Sequence, residues 1–147
     1  MSIYNRILVI VDLSTDSMQV AAKARKLADA NPGAKLTLLH VVEFMPVEPL
    51  SDSLLPAVQI EVDLLQAART RMAALAAGVG SPPWEVCSGN AKSEVVRFAK
   101  HGGFDLIVVG SHERHGLSIL VNLTEDTVLH AAPCDVLAVR LPKSEPA

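Results

Sequence analysis

The side chains best suited to holding a small anion crowd into one short stretch. Leu106-Ile-Val-Val-Gly110 is followed by Ser111, His112, Glu113, Arg114 and His115. A hydroxyl, two imidazoles and a guanidinium so close together can bind phosphate or carboxylate, and a glycine beside them lets backbone N–H groups approach. His112 and His115 stand three residues apart, but two ligands do not make a metal site, and none is expected. The second chemical position is Asp12, which stops the apolar run Ile7–Val11 and is followed by Ser14 and Asp16. Asp12 either contacts a ligand or turns the chain into a helix, and a carboxylate suits both roles. No nucleophile, base and orienting group can be assembled from these positions. No catalytic residue is expected, and any hydrolysis would be slow.

These residues must be carried by regular elements, and the apolar pattern shows which. Ile7–Val11, Leu36–Val42, Trp84–Cys87, Leu106–Gly110 and Asp135–Val139 are short apolar runs bounded by polar or turn residues, the pattern of buried strands. Between the first two, Val20, Ala24, Leu27 and Ala28 make one helical face, which Asn31-Pro-Gly33 ends. Glu43 to Pro56 holds Pro46, Pro49 and Pro56 and reads as a long loop, expected to be a mobile flap. A second helix from about Pro56 to Ala77 carries Leu54, Val58, Val62, Leu65, Ala68, Met72 and Leu75 at steps of three and four. Asn90 caps a third helix with Ala91, Val95, Phe98 and Ala99 facing inward, and a last helix ends near His130-Ala-Ala-Pro133.

The alternation β-α-β-α-β-α-β-α-β with apolar strands implies a single-domain, doubly wound α/β fold with a mainly parallel five-stranded sheet and helices on both faces. Right-handed crossovers and one reversal give strand order 3-2-1-4-5. The switch point falls between strands 1 and 4, which brings Asp12 and Gly110 to one crevice. The domain covers residues 1–141, and residues 142–147 form a polar, frayed tail.

At 147 residues the chain suits one domain with a sizeable core. A net charge of −3 leaves no electrostatic footprint for nucleic acid. No apolar run approaches the roughly 20 residues of a membrane span, and no signal-peptide pattern opens the chain, so a cytoplasmic protein is expected. Cys87 and Cys134 have no metal-binding spacing and fall on opposite sheet edges, so both are expected to be reduced thiols.

Several families share this layout. A phosphoacceptor domain needs an acidic pair after strand 1 and an aspartate ending strand 3, whereas Asp12 has no acidic neighbour and strand 3 ends Cys87-Ser88. A dinucleotide fold needs G-x-G-x-x-G after strand 1, and Leu13-Ser-Thr-Asp16 has no glycine. A Walker A loop and an H-x-G-H pair are absent as well. By contrast Ile7-Leu-Val-Ile-Val-Asp-Leu-Ser14, Leu38-Leu-His-Val41, Val108-Val-Gly-Ser-His112 and Ala132-Pro-Cys-Asp-Val-Leu-Ala-Val-Arg140 together resemble the universal stress protein family (the universal stress protein A superfamily) over nearly the whole chain.

The ATP-binding branch of that family carries G-x-x-G-x9-G-[S/T] after strand 4, which lets backbone N–H groups cradle phosphate. Gly110 matches the first glycine. Glu113 replaces the second, and the third falls on Leu123, or on Asn122 if one residue is deleted. A carboxylate about 4 Å from a phosphate charge, at an effective dielectric of about 20, costs about 4 kcal/mol before solvent screening. Arg114 and His112 offset part of that. The resemblance implies that Asp12 and the backbone at Val41 face the nucleoside. It implies that Gly110, Ser111, His112, Arg114, Asn122, Leu123 and Thr124 surround the phosphates. Asn122 with Glu125 also fits a helix-capping box.

Two functions are therefore expected. One is a non-enzymatic stress-response protein that binds ATP weakly or not at all and acts through partner contacts, as a homodimer joined by the Val136–Leu141 edge strand. The alternative is a switch holding ATP or another adenine nucleotide in the crevice between strands 1 and 4, with slow hydrolysis at most.

Overall fold

The computed structural model describes residues 3–43, 55–110 and 132–141. Along the chain come β1 (Arg6–Ile10), α1 (Ser17–Ala30), β2 (Lys35–Val42), α2 (Leu55–Ala77), β3 (Trp84–Ser88), α3 (Ala91–Gly102), β4 (Leu106–Gly110) and β5 (Asp135–Val139). The expected flap beyond Glu43, the last helix before Pro133 and the polar tail lie outside the described residues.

The five strands form one sheet in the order β3-β2-β1-β4-β5, and every pairing is parallel. β1 and β4 sit in the middle, and Ile7, Leu8, Val9, Ile107, Val108 and Val109 are fully buried. This is why their sequences are continuously apolar instead of alternating. Successive residues nevertheless serve opposite faces. Ile7, Val9, Leu36 and Leu38 pack with Val20, Ala24 and Met72 in one core layer. Leu8, Ile10, Leu39 and Val41 pack with Ala91, Val95, Ala99 and Phe104 in the other.

Asn90 caps α3 as its side-chain oxygen accepts the Ser93 N–H at 3.0 Å, and Gly103 closes the helix in the left-handed region at φ 66°. Asn31 ends α1, donating to the Leu27 carbonyl at 2.7 Å and accepting the Ile3 N–H at 3.0 Å.

α2 departs from expectation. Ala68, Met72 and Leu75 of its apolar stripe are buried and Leu65 is half-buried, but Val58 is 54% and Val62 is 51% exposed. The helix has 23 residues and so runs about 35 Å, longer than the sheet it covers. Its carboxyl half packs into the core, whereas its amino half, bonded to the end of β3 through Glu61 and Ser88, turns Val58 and Val62 to solvent. The cysteines fall as expected: both are free, Cys87 on edge strand β3 and Cys134 just before the opposite edge strand β5.

Candidate functional site

At the carboxyl ends of β1 and β2 a cleft of about 240 Å³ opens beside the first turn of α3. Ile10, Val41, Ala91 and Val95 give it apolar walls, and Asp12, His40 and Glu43 bring polar groups. It lies where strand ends of an open α/β sheet leave room for a ligand. Two expected site residues, Asp12 and Val41, therefore line one cavity. Among the described residues the cleft extends from Asp12 towards β2 and α3, not towards β4, so it occupies one side of the switch point.

The polar groups of this cleft also hold its own loop together. Asp12 Oδ1 accepts the Ser14 N–H at 2.9 Å and the Ser17 hydroxyl at 2.9 Å. Ser17 is almost fully buried, so this carboxylate organises the start of α1. Asp16 occupies the cap position and makes no side-chain cap bond. His40 Nδ1 meets the Val11 carbonyl at 2.7 Å. A carbonyl only accepts, so Nδ1 carries the hydrogen. From α2, the Arg71 guanidinium donates to the Leu13 carbonyl. Leu13 itself is buried in the left-handed region at φ 62°, a conformation that costs a branched residue about 1–2 kcal/mol. Three elements thus clamp residues 11–14 from different sides.

His40 and Arg71 escaped sequence reasoning as members of this site. A lone imidazole in the apolar run Leu38-Leu-His-Val41 was the available signal, because a polar group in a buried strand needs a partner. Arg71 gave none, since a cation on an exposed helix face is ordinary.

Gly110 ends β4 beside β1, as expected, but packing explains its glycine. A Cβ there would lie 3.0 Å from Leu141 Cδ1 and 3.1 Å from Val20 Cγ2. Ser111, His112, Glu113, Arg114, His115, Asn122, Leu123 and Thr124 lie outside the described residues.

Near the cleft's far wall, Ser88 donates to the Glu61 carboxylate at 2.7 Å, joining β3 to α2. The Cys87 thiol is pushed above its ordinary pKa, first by burial and then by the Glu94 carboxylate. Burial, with Asp135 close by, pushes Cys134 up to about 11. Neither is a thiolate at neutral pH. Among the described residues no cluster of His, Cys, Asp or Glu is arranged to hold a metal ion. No helix among them is long and apolar enough to cross a membrane.

The model of the universal stress protein family matches residues 3–140. The chain belongs to that family. It is 39% identical over 140 residues to universal stress protein A homolog 2 of Coxiella burnetii, spanning 94% of this chain and 96% of the relative. Among solved structures it is similar to the universal stress protein UspA from Lactobacillus plantarum, with a TM-score of 0.65, 26% identity and coverage of 93% and 98% of the two chains. It also shares its fold with a universal stress protein solved in complex with cAMP, at a TM-score of 0.55 and 22% identity over 95% and 98%. As a universal stress protein, the chain carries the five-stranded parallel sheet in the order shared by these relatives.

Proposed function

We propose that this universal stress protein is a cytoplasmic, non-enzymatic stress-response protein that acts as a homodimer through partner contacts and grips ATP weakly or not at all. One observation carries the reading: two of the three polar side chains that line the cleft, Asp12 and His40, are already employed by the fold. Asp12 holds Ser14 and Ser17, and His40 holds Val11. The cleft volume of about 240 Å³ also falls below the roughly 300 Å³ at which pockets for drug-sized ligands begin. Glu113 adds an unfavourable charge where the family's ATP-binding members have glycine.

The second reading is an adenine-nucleotide switch with slow hydrolysis at most. Its support is the position of the cleft, which Asp12 and Val41 line; the family resemblance adds Gly110, Ser111, His112, Arg114, Asn122, Leu123 and Thr124 as the residues for phosphate. The cAMP bound by a fold relative adds a ligand with one phosphate charge, which Glu113 would repel less than a triphosphate.

Calorimetric titration of wild type and Glu113→Gly with ATP and adenosine separates the two. The first reading expects wild-type ATP binding weaker than millimolar, with Glu113→Gly improving ATP at least tenfold and leaving adenosine unchanged, since about 1.4 kcal/mol of relieved repulsion suffices. Micromolar ATP binding by wild type, unaltered in the variant, would establish the switch. Nucleotide retained through purification and seen by mass spectrometry of the denatured protein would point the same way.

A further inference from the structure

A second cavity, of about 380 Å³, lies at the opposite end of the β1–β2–α3 layer. α3 spans both sites. Ala91 in its first turn lines the cleft, and His101 and Gly102 in its last line the second cavity. With 12 residues in α3, the two ends stand about 18 Å apart. The second cavity combines an apolar floor with positive donors. Phe98 and Phe104 stack with ring centroids 5.9 Å apart and planes inclined by 22°. The Arg6 guanidinium lies 4.9 Å from the Phe104 centroid, and its Nε donates to the Gly102 carbonyl at 2.8 Å. Among the described residues, neither Arg6 Nη makes a hydrogen bond. Arg97 and His101 contribute from α3, and Lys35 stands opposite Arg6 in the strand register.

We infer that this cavity is a binding site for a small organic anion with a planar aromatic body, with Arg6 as its principal anchor. A guanidinium placed over a ring and held by one hydrogen bond has already lost much of its rotamer freedom, so its remaining donors are preorganised. Phe98, half-buried and stacked on the buried Phe104, offers the apolar surface for the ligand body. The local charge supports an anion. Arg97 is ion-paired with Glu94, and the nearby Asp105 carboxylate is engaged by the Asn5 and Arg6 backbone N–H groups at 2.8 and 3.0 Å. The Arg6, Lys35 and His101 side chains have no acidic partner among the described residues, although the chain as a whole carries −3. The α3 carboxyl terminus attracts Arg6 Nε by itself, but that attraction requires neither a phenylalanine floor nor a cavity above it.

The probe is phenyl phosphate, with inorganic phosphate as the charge-only control, followed by two-dimensional NMR of the full chain. Phenyl phosphate should shift the resonances of Phe98, His101 and Phe104, leave those of Asp12 and His40 in place, and bind at least tenfold more tightly than inorganic phosphate. Arg6→Gln should weaken it by about tenfold, the scale of one charge-assisted contact. His101→Gln, at an exposed position in the last turn of α3, should weaken it by about threefold. The inference is overturned if saturating phenyl phosphate leaves Phe98, His101 and Phe104 unshifted. Equal affinity for the two probes would also overturn it, as would an affinity unchanged in both variants.

Discussion

Gly110 stands where strand β4 meets two side chains from elsewhere in the chain, and the hydrogen on its α carbon is what lets them close in. A methyl group would press on Val20 Cγ2 at 3.1 Å and Leu141 Cδ1 at 3.0 Å. Gly110→Ala should therefore push these two side chains aside by a few tenths of an ångström and cost at most about 1 kcal/mol, measured as a lowered urea midpoint with unchanged slope. A neutral result would mean that Val20 and Leu141 yield to the added methyl group. The thiols give a second prediction at this scale. With Cys134 pushed up to about 11 and Cys87 raised as well, both should react with an aromatic disulfide reagent at pH 8 far more slowly than free cysteine. A thiol whose folded pKa is raised stabilises the fold below its unfolded value, near 9, and that contribution disappears as pH climbs towards 11. A denaturation series from pH 8 to 11 should show stability falling across that window, and Cys134→Ser should flatten the fall.

Among the elements, α2 plays two roles along its length. Its carboxyl half packs Ala68, Met72 and Leu75 into the core, and its amino half leaves Val58 and Val62 exposed. From the carboxyl half, Arg71 reaches the Leu13 carbonyl, so the helix braces the strained turn that carries Asp12. Arg71→Met keeps the apolar stem and removes the donor. It should lower stability by about 1 kcal/mol and speed amide exchange at residues 13–15, with little change along β1. Uniform acceleration across the sheet would instead indicate a general packing defect. Met72→Ala, a fully buried position of the same helix, provides the contrast: it should cost about 2–5 kcal/mol without singling out the turn.

For the whole molecule, the open question of assembly concentrates on β5. It is an outer strand of the sheet, and Leu137 on it is 39% exposed. An apolar edge is a template for pairing unless something covers it, which is the basis of the proposed homodimer through Val136–Leu141. Wild type at micromolar concentration should sediment at twice the mass of the 15.6 kDa chain, and Leu137→Lys should shift it to the single-chain mass while preserving the circular dichroism of the fold. A wild type that sediments as single chains would remove the dimer from the proposal and leave the cleft untouched.

Much of this architecture is legible in the sequence because it depends on short-range pattern and on chain handedness. Apolar runs such as Ile7–Val11 and Leu106–Gly110 specify strands, Asn90 specifies a helix start, and right-handed crossovers then leave little choice but the order β3-β2-β1-β4-β5. The same topology separates Cys87 from Cys134. What only the tertiary structure decided lies between residues far apart in the chain. Val20 and Leu141 converge on Gly110, His40 and Arg71 clamp the Asp12 turn, and Arg6 lies over Phe104. Periodicity records which face of an element is apolar. It does not record which turns of an apolar face find a partner, so Val58 and Val62 looked like core residues. Nor does it record which partner a polar side chain finds, because that partner is brought within reach only when the sheet has closed.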